Sequence, residues 1–268
     1  MRILRVFPRR TSMTPRGPLV FVGDPPLWRP KADEVHISVC FTWDIEEGRR
    51  LQGAWQQYYP IVRLGGPALG NPPNGFVPGM YVRHGVTFTT VGCNNGCPWC
   101  LVPGKEGRLR EINDFAAGYI VQDNNLLQAS RSHIRKVFAM LRPRAAVFSG
   151  GFQSNLVDDW VAEEMRGLRI SQLFLAADTE AALNPLAKAI KKLSFLPRRK
   201  LRCYVLIAYD GETLEQAEAR LRRVWELGAM PFAQLYQPPD HYVEYDCEWK
   251  RLARTWMRPA AMKALMGQ

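Results

Sequence analysis

The sequence of 268 residues lacks any long hydrophobic run. No stretch of about 18 apolar residues occurs, which argues against a membrane-spanning helix. The first residues, Met1–Phe7, are basic and lack the apolar segment of about 7–15 residues that a secretory signal needs. We therefore expect a cytoplasmic protein with no membrane partner. Hydrophobic residues still make up 47% of the chain, so the composition predicts a folded core rather than disorder.

Acidic residues are few compared with basic ones. The chain has 36 Lys and Arg against 25 Asp and Glu, a formal net charge of +11. A basic surface is compatible with RNA, DNA or another anionic partner or substrate, and a merely solvated basic surface fits the same composition. The arginines are dispersed along the chain, so no arginine-rich tail marks a binding segment.

Cysteine is also scarce, but three of the six cysteines lie within eight residues. Cys93, Cys97 and Cys100 lie on a segment that contains glycine and proline. Thiolates favour zinc, copper(I) or iron–sulfur clusters. Structural zinc requires four ligands, and no Cys or His follows Cys100 until His133. Three protein ligands leave one coordination position open, which fits a [4Fe–4S] cluster with one unique iron.

The spacing Cys-x3-Cys-x2-Cys, with Trp99 before the last cysteine, resembles the signature loop of the radical S-adenosylmethionine (radical SAM) superfamily. The resemblance implies that Cys93, Cys97 and Cys100 bind a [4Fe–4S] cluster. It also implies that S-adenosylmethionine binds the fourth iron, with its adenine near Trp99.

The activity implied by this resemblance is oxidoreductase chemistry. One electron from the cluster cleaves S-adenosylmethionine, and the resulting 5′-deoxyadenosyl radical abstracts hydrogen from a substrate that the sequence does not identify. An external one-electron reductant similar to flavodoxin or ferredoxin would supply the electron. A non-catalytic zinc or iron–sulfur protein, in metal binding or electron transfer, is the alternative.

Predicted strands and helices alternate after the cysteine loop. The predicted strands are 85–91, 119–122, 145–148, 172–176, 202–207 and 231–236, and the predicted helices are 132–141, 158–168, 180–193 and 212–227. This alternation predicts an α/β fold with a parallel sheet and right-handed crossovers. The resemblance implies a partial (β/α)6 barrel of the TIM-like type, with its site at the carboxyl ends of the strands.

Two stretches compete for the role of the family's Gly-Gly-Glu motif, which contacts the amino group of S-adenosylmethionine. Gly150 and Gly151 supply the glycines, but Phe152 replaces the acid and the stretch follows the third strand instead of the second. Asp123-Asn124-Asn125 follows the second strand and resembles a turn of the cobalamin-type and methylthiotransferase-type branches. We therefore expect Asp123 and Asn125 to bind the cofactor.

Two further positions at the strand exits complete the predicted cofactor site. Gly150 and Gly151 would let the backbone approach cofactor or substrate closely, although a plain tight turn also explains them. Asp178 follows the fourth predicted strand. After the fifth strand, Asp210-Gly211-Glu212-Thr213 resembles a Pro-Gly-Glu-Thr turn of the same branches, and Thr213 as the N-cap of a helix is the alternative.

The first 80 residues form a different region. A strand at 35–41, a helix at 44–58 and a strand at 61–64 make one βαβ unit, which resembles the end of the cobalamin-binding Rossmann-like domain found before some radical SAM barrels. The Asp-x-His-x-x-Gly cobalt-ligand motif is absent, and His36 lies inside a strand pattern typical of a core histidine. We therefore predict a small, truncated Rossmann-like α/β region that binds no cobalamin.

The sequence-based division of the chain has three parts. Residues 1–80 are the N-terminal α/β region and linker, 81–240 the radical SAM partial barrel, and 241–268 a helical C-terminal tail. Within the first part, Pro8–Pro30 is predicted to be irregular, and Asn71–Pro78, with three prolines, is the predicted linker. In the tail, one helix is predicted over Asp246–Met266.

Overall fold

The computed structural model describes residues 1–70 and 77–267. Their backbone divides into two compact units, one from Met1–Val86 with Pro238–Tyr242, and one from Thr87–Gln237 with the chain from Val243 onward. The predicted linker lies mostly outside the described residues, and the sequence-based division at residues 80 and 240 stays a prediction. Within the described ranges, no helix combines the length and the hydropathy needed to cross a membrane.

The described residues of the first unit form a four-stranded parallel sheet and one α-helix. Its elements are β1 (Ile3–Phe7), β2 (Val20–Val22), β3 (Glu34–Ser38), α1 (Ile45–Gln56) and β4 (Val62–Gly65). The strand order is β2-β1-β3-β4, with all pairs parallel. The predicted βαβ unit corresponds to β3-α1-β4. The expectation of an irregular Pro8–Pro30 is wrong at β2, and β1 is a strand that the sequence analysis did not predict.

The core of the first unit lies between α1 and the sheet. The buried side chains alternate along β1 and β3, and α1 buries Leu51 and Trp55 against them. The Trp55 Nε1 donates a hydrogen bond of 3.1 Å to the Gly23 carbonyl. Gly48 allows the close approach of α1, because a Cβ there would come within 2.5 Å of the Val39 side chain.

The second unit contains a six-stranded sheet flanked by helices. Its elements are β5 (Val86–Thr87), β6 (Thr90–Val91), α2 (Val102–Lys105), β7 (Arg110–Glu111), β8 (Ile120–Val121), α3 (Arg131–Leu141), β9 (Ala146–Gln153), α4 (Asp159–Arg166), β10 (Ile170–Ala176), α5 (Leu183–Lys192), β11 (Leu201–Ile207), α6 (Leu214–Leu227), β12 (Met230–Leu235), α7 (Cys247–Met257) and α8 (Pro259–Leu265). The strand order is β12-β11-β10-β9-β8-β5, and the pairs from β8 to β12 are parallel. β6 and β7 form a separate antiparallel pair. The predicted α/β class and parallel sheet are confirmed.

The strands of this sheet are apolar because helices pack over them. Leu173 and Leu175 on β10, and Val205 and Ile207 on β11, are fully buried. α6 begins with a capping box in which Thr213 and Gln216 satisfy each other's backbone N–H groups. It ends at Gly228 in the left-handed conformation, with φ of 107°. The interpretation of Thr213 as a helix N-cap is therefore confirmed.

Besides small shifts at element ends, two predicted elements are divided in the structure and one is extended. The strand predicted at 85–91 is broken into β5 and β6, which belong to different sheets. The strand predicted to end at Phe148 continues as β9 to Gln153. The single helix predicted over Asp246–Met266 is two helices, because Pro259 lacks a backbone N–H and begins α8 at its first position.

Candidate functional site

Polar and aromatic residues gather at the carboxyl edge of the six-stranded sheet. Asp123 follows β8, Asp178 follows β10, and Tyr209 and Tyr236 follow β11 and β12. Since these strands run parallel, their carboxyl ends share one edge of the sheet. The cysteine loop, residues 92–100, follows β6 and is joined to this edge by hydrogen bonds.

Gly92 begins the cysteine loop with a backbone conformation that favours glycine. Its φ is +83°, and a Cβ would come within 2.4 Å of the Arg108 carbonyl oxygen. The Gly92 N–H donates to Glu106 Oε2 at 2.9 Å, and the Cys93 N–H donates to the Gly107 carbonyl at 3.1 Å. These bonds hold the start of the loop against residues 106–108.

The three thiols of the loop lie close enough together to interact electrostatically. Cys93, Cys97 and Cys100 are half-buried and form no disulfide. Burial raises the pKa of Cys97, and Cys100, Asp178 and Cys93 raise it further. Burial also raises the pKa of Cys100, with smaller contributions from Cys93 and Asp178. Across the described residues, no three His, Cys, Asp or Glu side chains are placed to hold one metal ion together.

The amide oxygen of Gln153, at the end of β9, joins the cysteine loop to the sheet. Gln153 Oε1 accepts hydrogen bonds from Asn95 Nδ2 at 2.9 Å, Asn125 Nδ2 at 2.8 Å and Gln128 Nε2 at 3.1 Å. Gln128 also binds the loop directly, since its Oε1 accepts from the Asn94 N–H at 2.7 Å. We call Asn94, Asn95, Asn125, Gln128 and Gln153 the amide network.

Of the amide network, sequence reasoning named only Asn125 as a cofactor-binding residue. The one available signal was the density of amide side chains beside the cysteines and the predicted strand exits, and that signal does not specify which amides meet. The network keeps the cysteine loop against the carboxyl ends of β8 and β9.

Asp123 and Asn125 lie beside this network, and both side chains are 3% exposed. The Asp123 carboxylate accepts from the Thr89 N–H at 2.6 Å and from the Thr89 hydroxyl. Burial raises the pKa of Asp123, while hydrogen bonds from Thr89 and Thr90 lower it. Asp123 thus fixes the connection between β5 and β6. By contrast, Asn125 Oδ1 is a buried acceptor without a hydrogen-bond partner among the described residues.

Gly150 and Gly151 lie within β9, not after it. The register with β10 changes here: Leu173 pairs with Phe148 and Leu175 with Phe152, so β9 advances four residues while β10 advances two. A Cβ at Gly150 would lie 1.6 Å from the Asp123 carbonyl oxygen. The close approach at Gly150 is therefore between β9 and the chain that follows β8.

Asp178 lies in the β10–α5 connection, close enough to Cys97 and Cys100 for its charge to raise their pKa values. Asp178 Oδ1 accepts from the Leu206 N–H at 3.0 Å. Burial raises the pKa of Asp178, and the nearby Arg220 lowers it. Arg220, 7% exposed, forms an ion pair with Glu212 and donates to the carbonyls of Asp178 and Leu206 at 3.0 and 2.7 Å.

Trp99 contacts the turn that follows β11. Its ring lies edge-on to Tyr209, with the ring centroids 5.4 Å apart, and Tyr209 lies edge-on to Tyr236 at 4.9 Å. Ala208 and Asp210, on either side of Tyr209, adopt φ of 61° and 54°. For residues other than glycine, this left-handed conformation costs about 1–2 kcal/mol each. The turn therefore presents Tyr209 to the cysteine loop at some cost in backbone strain.

The carboxyl edge thus joins three neighbouring thiols, a buried carboxylate and an aromatic pair. It also holds a buried amide oxygen that has no hydrogen-bond partner among the described residues. Thiolates of this kind bind soft metal centres, and the acceptor suits a ligand with an N–H group. No protein-family model matches the chain, and no curated protein matches it.

Proposed function

We propose that the protein is a radical SAM enzyme with Cys93, Cys97 and Cys100 as the ligands of a [4Fe–4S] cluster. The observation that carries the proposal is the position of three interacting, half-buried thiols on a loop fixed at the carboxyl edge of a parallel sheet. When bound, such a cluster supplies the electron that cleaves S-adenosylmethionine and releases a 5′-deoxyadenosyl radical. That radical would abstract hydrogen from the substrate.

The donor set supports this assignment. Three thiolates leave one iron of a four-iron cluster without a protein ligand, as the proposed activity requires. Four irons also separate their ligands more than a single ion does, so the thiols need not converge on one point. Asn125 Oδ1 is buried and has no hydrogen-bond partner among the described residues, so it suits a ligand that brings its own N–H donors, such as the amino group of S-adenosylmethionine.

The surrounding residues take distinct roles in the proposed site. Asn125 would accept a hydrogen bond from the cofactor, and Trp99 would lie beside its adenine. Asp123 would act as a positioning residue, because Thr89 already occupies its oxygens. Asp178 would lie between the cysteines and the substrate, at the opening of the site on the carboxyl edge of the sheet. We call this opening the mouth.

Gly150 and Gly151 would contribute backbone rather than side chain to this mouth. The register change around them moves the end of β9 relative to β10. Gln153, which ends β9, would hold the amide network and with it the cysteine loop. A substrate or cofactor at the mouth would then meet the backbone of β9.

The strand order supports the finer fold assignment. Strands β5, β8, β9, β10, β11 and β12 are adjacent in the order in which they occur in the chain. A (β/α) barrel has this order, and six strands correspond to a barrel that stays open. The proposed partial (β/α)6 barrel also places its site at the carboxyl ends of the strands.

An external one-electron reductant similar to flavodoxin or ferredoxin and a cytoplasmic location belong to the same proposal. Cobalamin is not expected. The alternative is a non-catalytic zinc or electron-transfer protein that uses the same loop. Metal analysis and spectroscopy distinguish it from a radical SAM enzyme.

Replacement of each loop cysteine by alanine tests the proposed ligands. After anaerobic reconstitution, we expect Cys93→Ala, Cys97→Ala and Cys100→Ala to lose most bound iron and sulfide, because two thiolates do not hold the cluster. Cys40→Ala and Cys247→Ala are matched controls, since both thiols are exposed and lie outside the loop. Equal iron content in all five variants would contradict the assignment.

A further inference from the structure

The amino ends of the strands in the six-stranded sheet carry a row of basic residues. They lie at the end of α4, in the connections before β9, β10 and β11, and between α7 and α8, and we call them the arginine edge: Arg142, Arg144, Arg166, Arg169, Arg198, Arg199, Lys200 and Arg258. Parallel strands bring these connections to the edge opposite the cysteine loop.

Contacts between the connections make the arginine edge continuous. The Arg169 guanidinium donates to the Pro143 carbonyl at 2.6 Å, between Arg142 and Arg144. Arg166 lies 4.6 Å above the Phe195 ring, in the connection that leads to Arg198. Farther along, Arg202 donates to the Met257 carbonyl at 3.1 Å, next to Arg258.

Few carboxylates neutralise this edge. Arg166 forms an ion pair with Glu163 at 3.3 Å. Among the residues that the structure describes, Arg142, Arg144, Arg169, Arg199 and Arg258 have no ion-pair partner, and all five are exposed. The positive charge of the edge is therefore open to an anionic partner.

Helix ends explain only part of this charge. A cation in the last turn of a helix offsets the partial negative charge of the helix carboxyl end. Arg142 and Arg166 lie at such positions, after α3 and at the end of α4. Arg144, Arg169 and Arg199 lie outside the α-helices, so capping does not account for them.

We propose that the arginine edge binds the phosphate backbone of a nucleic acid. Seven of its eight residues are arginine, whose planar guanidinium matches phosphate oxygens in a bidentate way. Regularly spaced phosphates fit a row of cations on neighbouring strands better than a single anion does. Phosphodiester contacts of this kind are independent of base sequence.

An acidic electron-transfer protein is a less suitable occupant of this edge. Strand β10 has seven residues, so the two edges of the sheet are about 23 Å apart at about 3.3 Å per residue. A reductant bound here would be far from the cysteine loop. A nucleic acid is long enough to bind the arginine edge and still extend to other parts of the surface.

Binding of a fluorescent 20-nucleotide single-stranded RNA tests the proposal with the purified full chain. Single-stranded DNA of the same sequence and an RNA duplex distinguish the source of the phosphates, and phosphatidylserine vesicles test a general anionic surface. The key variant is Arg144→Gln/Arg169→Gln/Arg199→Gln. Its matched control, Arg10→Gln/Arg49→Gln/Arg223→Gln, removes the same charge from exposed positions elsewhere.

The salt dependence of the affinity gives the expected result. Each phosphate contact with a single strand contributes about 0.7 to the slope of log K against log salt. The edge variant should therefore lose about two units of slope and roughly tenfold or more in affinity at low salt. The control should keep the slope of the unmodified protein. If Arg169→Gln impairs folding, the double variant Arg144→Gln/Arg199→Gln should lose about 1.4 units of slope.

Three results would overturn the proposal. The first is that the unmodified protein binds the vesicles but neither RNA nor DNA at low salt. The second is that the control variant loses as much affinity as the edge variant. The third is that the edge variant binds nucleic acid like the unmodified protein. None of these results depends on an iron–sulfur cluster, so the arginine edge and the cysteine loop are tested separately.

Discussion

Among the glycines that the structure describes, Gly150 leaves the least room for a side chain. A Cβ at this position would lie 1.6 Å from the Asp123 carbonyl oxygen and 2.7 Å from its carbon. Both atoms belong to the backbone, so a rotamer change does not relieve the clash. The chain that follows β8 and the irregular part of β9 fit together only because this side chain is absent.

Gly150→Ala should therefore lower the free energy of unfolding by about 3 kcal/mol, the cost of a severe overpacking change. Urea unfolding followed by circular dichroism measures the change. Gly104→Ala is the matched control, because a Cβ there meets nothing within 4 Å. Its unfolding free energy should stay unchanged or rise slightly. A loss of less than about 1 kcal/mol for Gly150→Ala would contradict the fit described here.

Glu34, in the first unit, links two neighbouring strands through its carboxylate. Arg63 on β4 donates to both Glu34 oxygens, at 2.8 and 3.0 Å, and the His36 ring lies 2.7 Å from one of them. Hydrogen bonds from Arg63 and then His36 lower the pKa of Glu34 from 4.5 to about 2. His36 thus contacts polar partners, including the Tyr81 hydroxyl at 2.5 Å, and its side chain is only 17% exposed.

The acid stability of the β3–β4 pair should depend on Glu34. Because its pKa is lower in the folded chain, the carboxylate stabilises the fold fully above about pH 4.5. This stabilisation is lost as the pH falls towards about 2. Glu34→Gln should lack this part of the acid dependence of the urea midpoint. Glu46→Gln, at an 82% exposed side chain on α1, is the control, and acid curves of Glu34→Gln and unmodified protein with the same shape would contradict the assignment.

At the scale of elements, the sequence predicted well those helices that are followed directly by an apolar strand. Amphipathic stretches such as α3 and α6, with an apolar strand after each, carry the signal that parallel α/β proteins share. The extension of β9 was missed because consecutive glycines usually end a strand. Here Tyr204, on β11 two strands away, supports them from the face of the sheet: its hydroxyl donates to the Ser149 carbonyl at 2.8 Å.

The strands at the start of the chain were missed for a different reason. β2 has only three residues and lies between proline- and arginine-rich segments, which weakens any local pattern. β1 becomes recognisable as a strand only through its parallel neighbours β2 and β3. Contacts between residues distant in the chain thus decided these elements, and local propensity alone did not reveal them.

At the scale of the whole molecule, the sequence predicted which strand ends would share an edge. That followed from the parallel topology, which places Asp123 and Asp178 at the same edge of the sheet. The cysteine loop follows β6, outside this sheet, and hydrogen bonds of the amide network join it to that edge. The amide network was not predictable, because Asn95 and Gln153 are 58 residues apart and meet through side-chain orientation. The contact between Trp99 and Tyr209 likewise depends on the strained turn around Ala208.

The central claim is that the cysteine loop binds a cluster in which one iron has no protein ligand. One measurement tests it directly. Anaerobically reconstituted protein is analysed for iron and sulfide, and the reduced protein is examined by electron paramagnetic resonance with and without S-adenosylmethionine. We predict about four irons per chain and a spectrum that changes when S-adenosylmethionine is added. A single bound zinc, or a cluster whose spectrum is indifferent to S-adenosylmethionine, would contradict the proposed function.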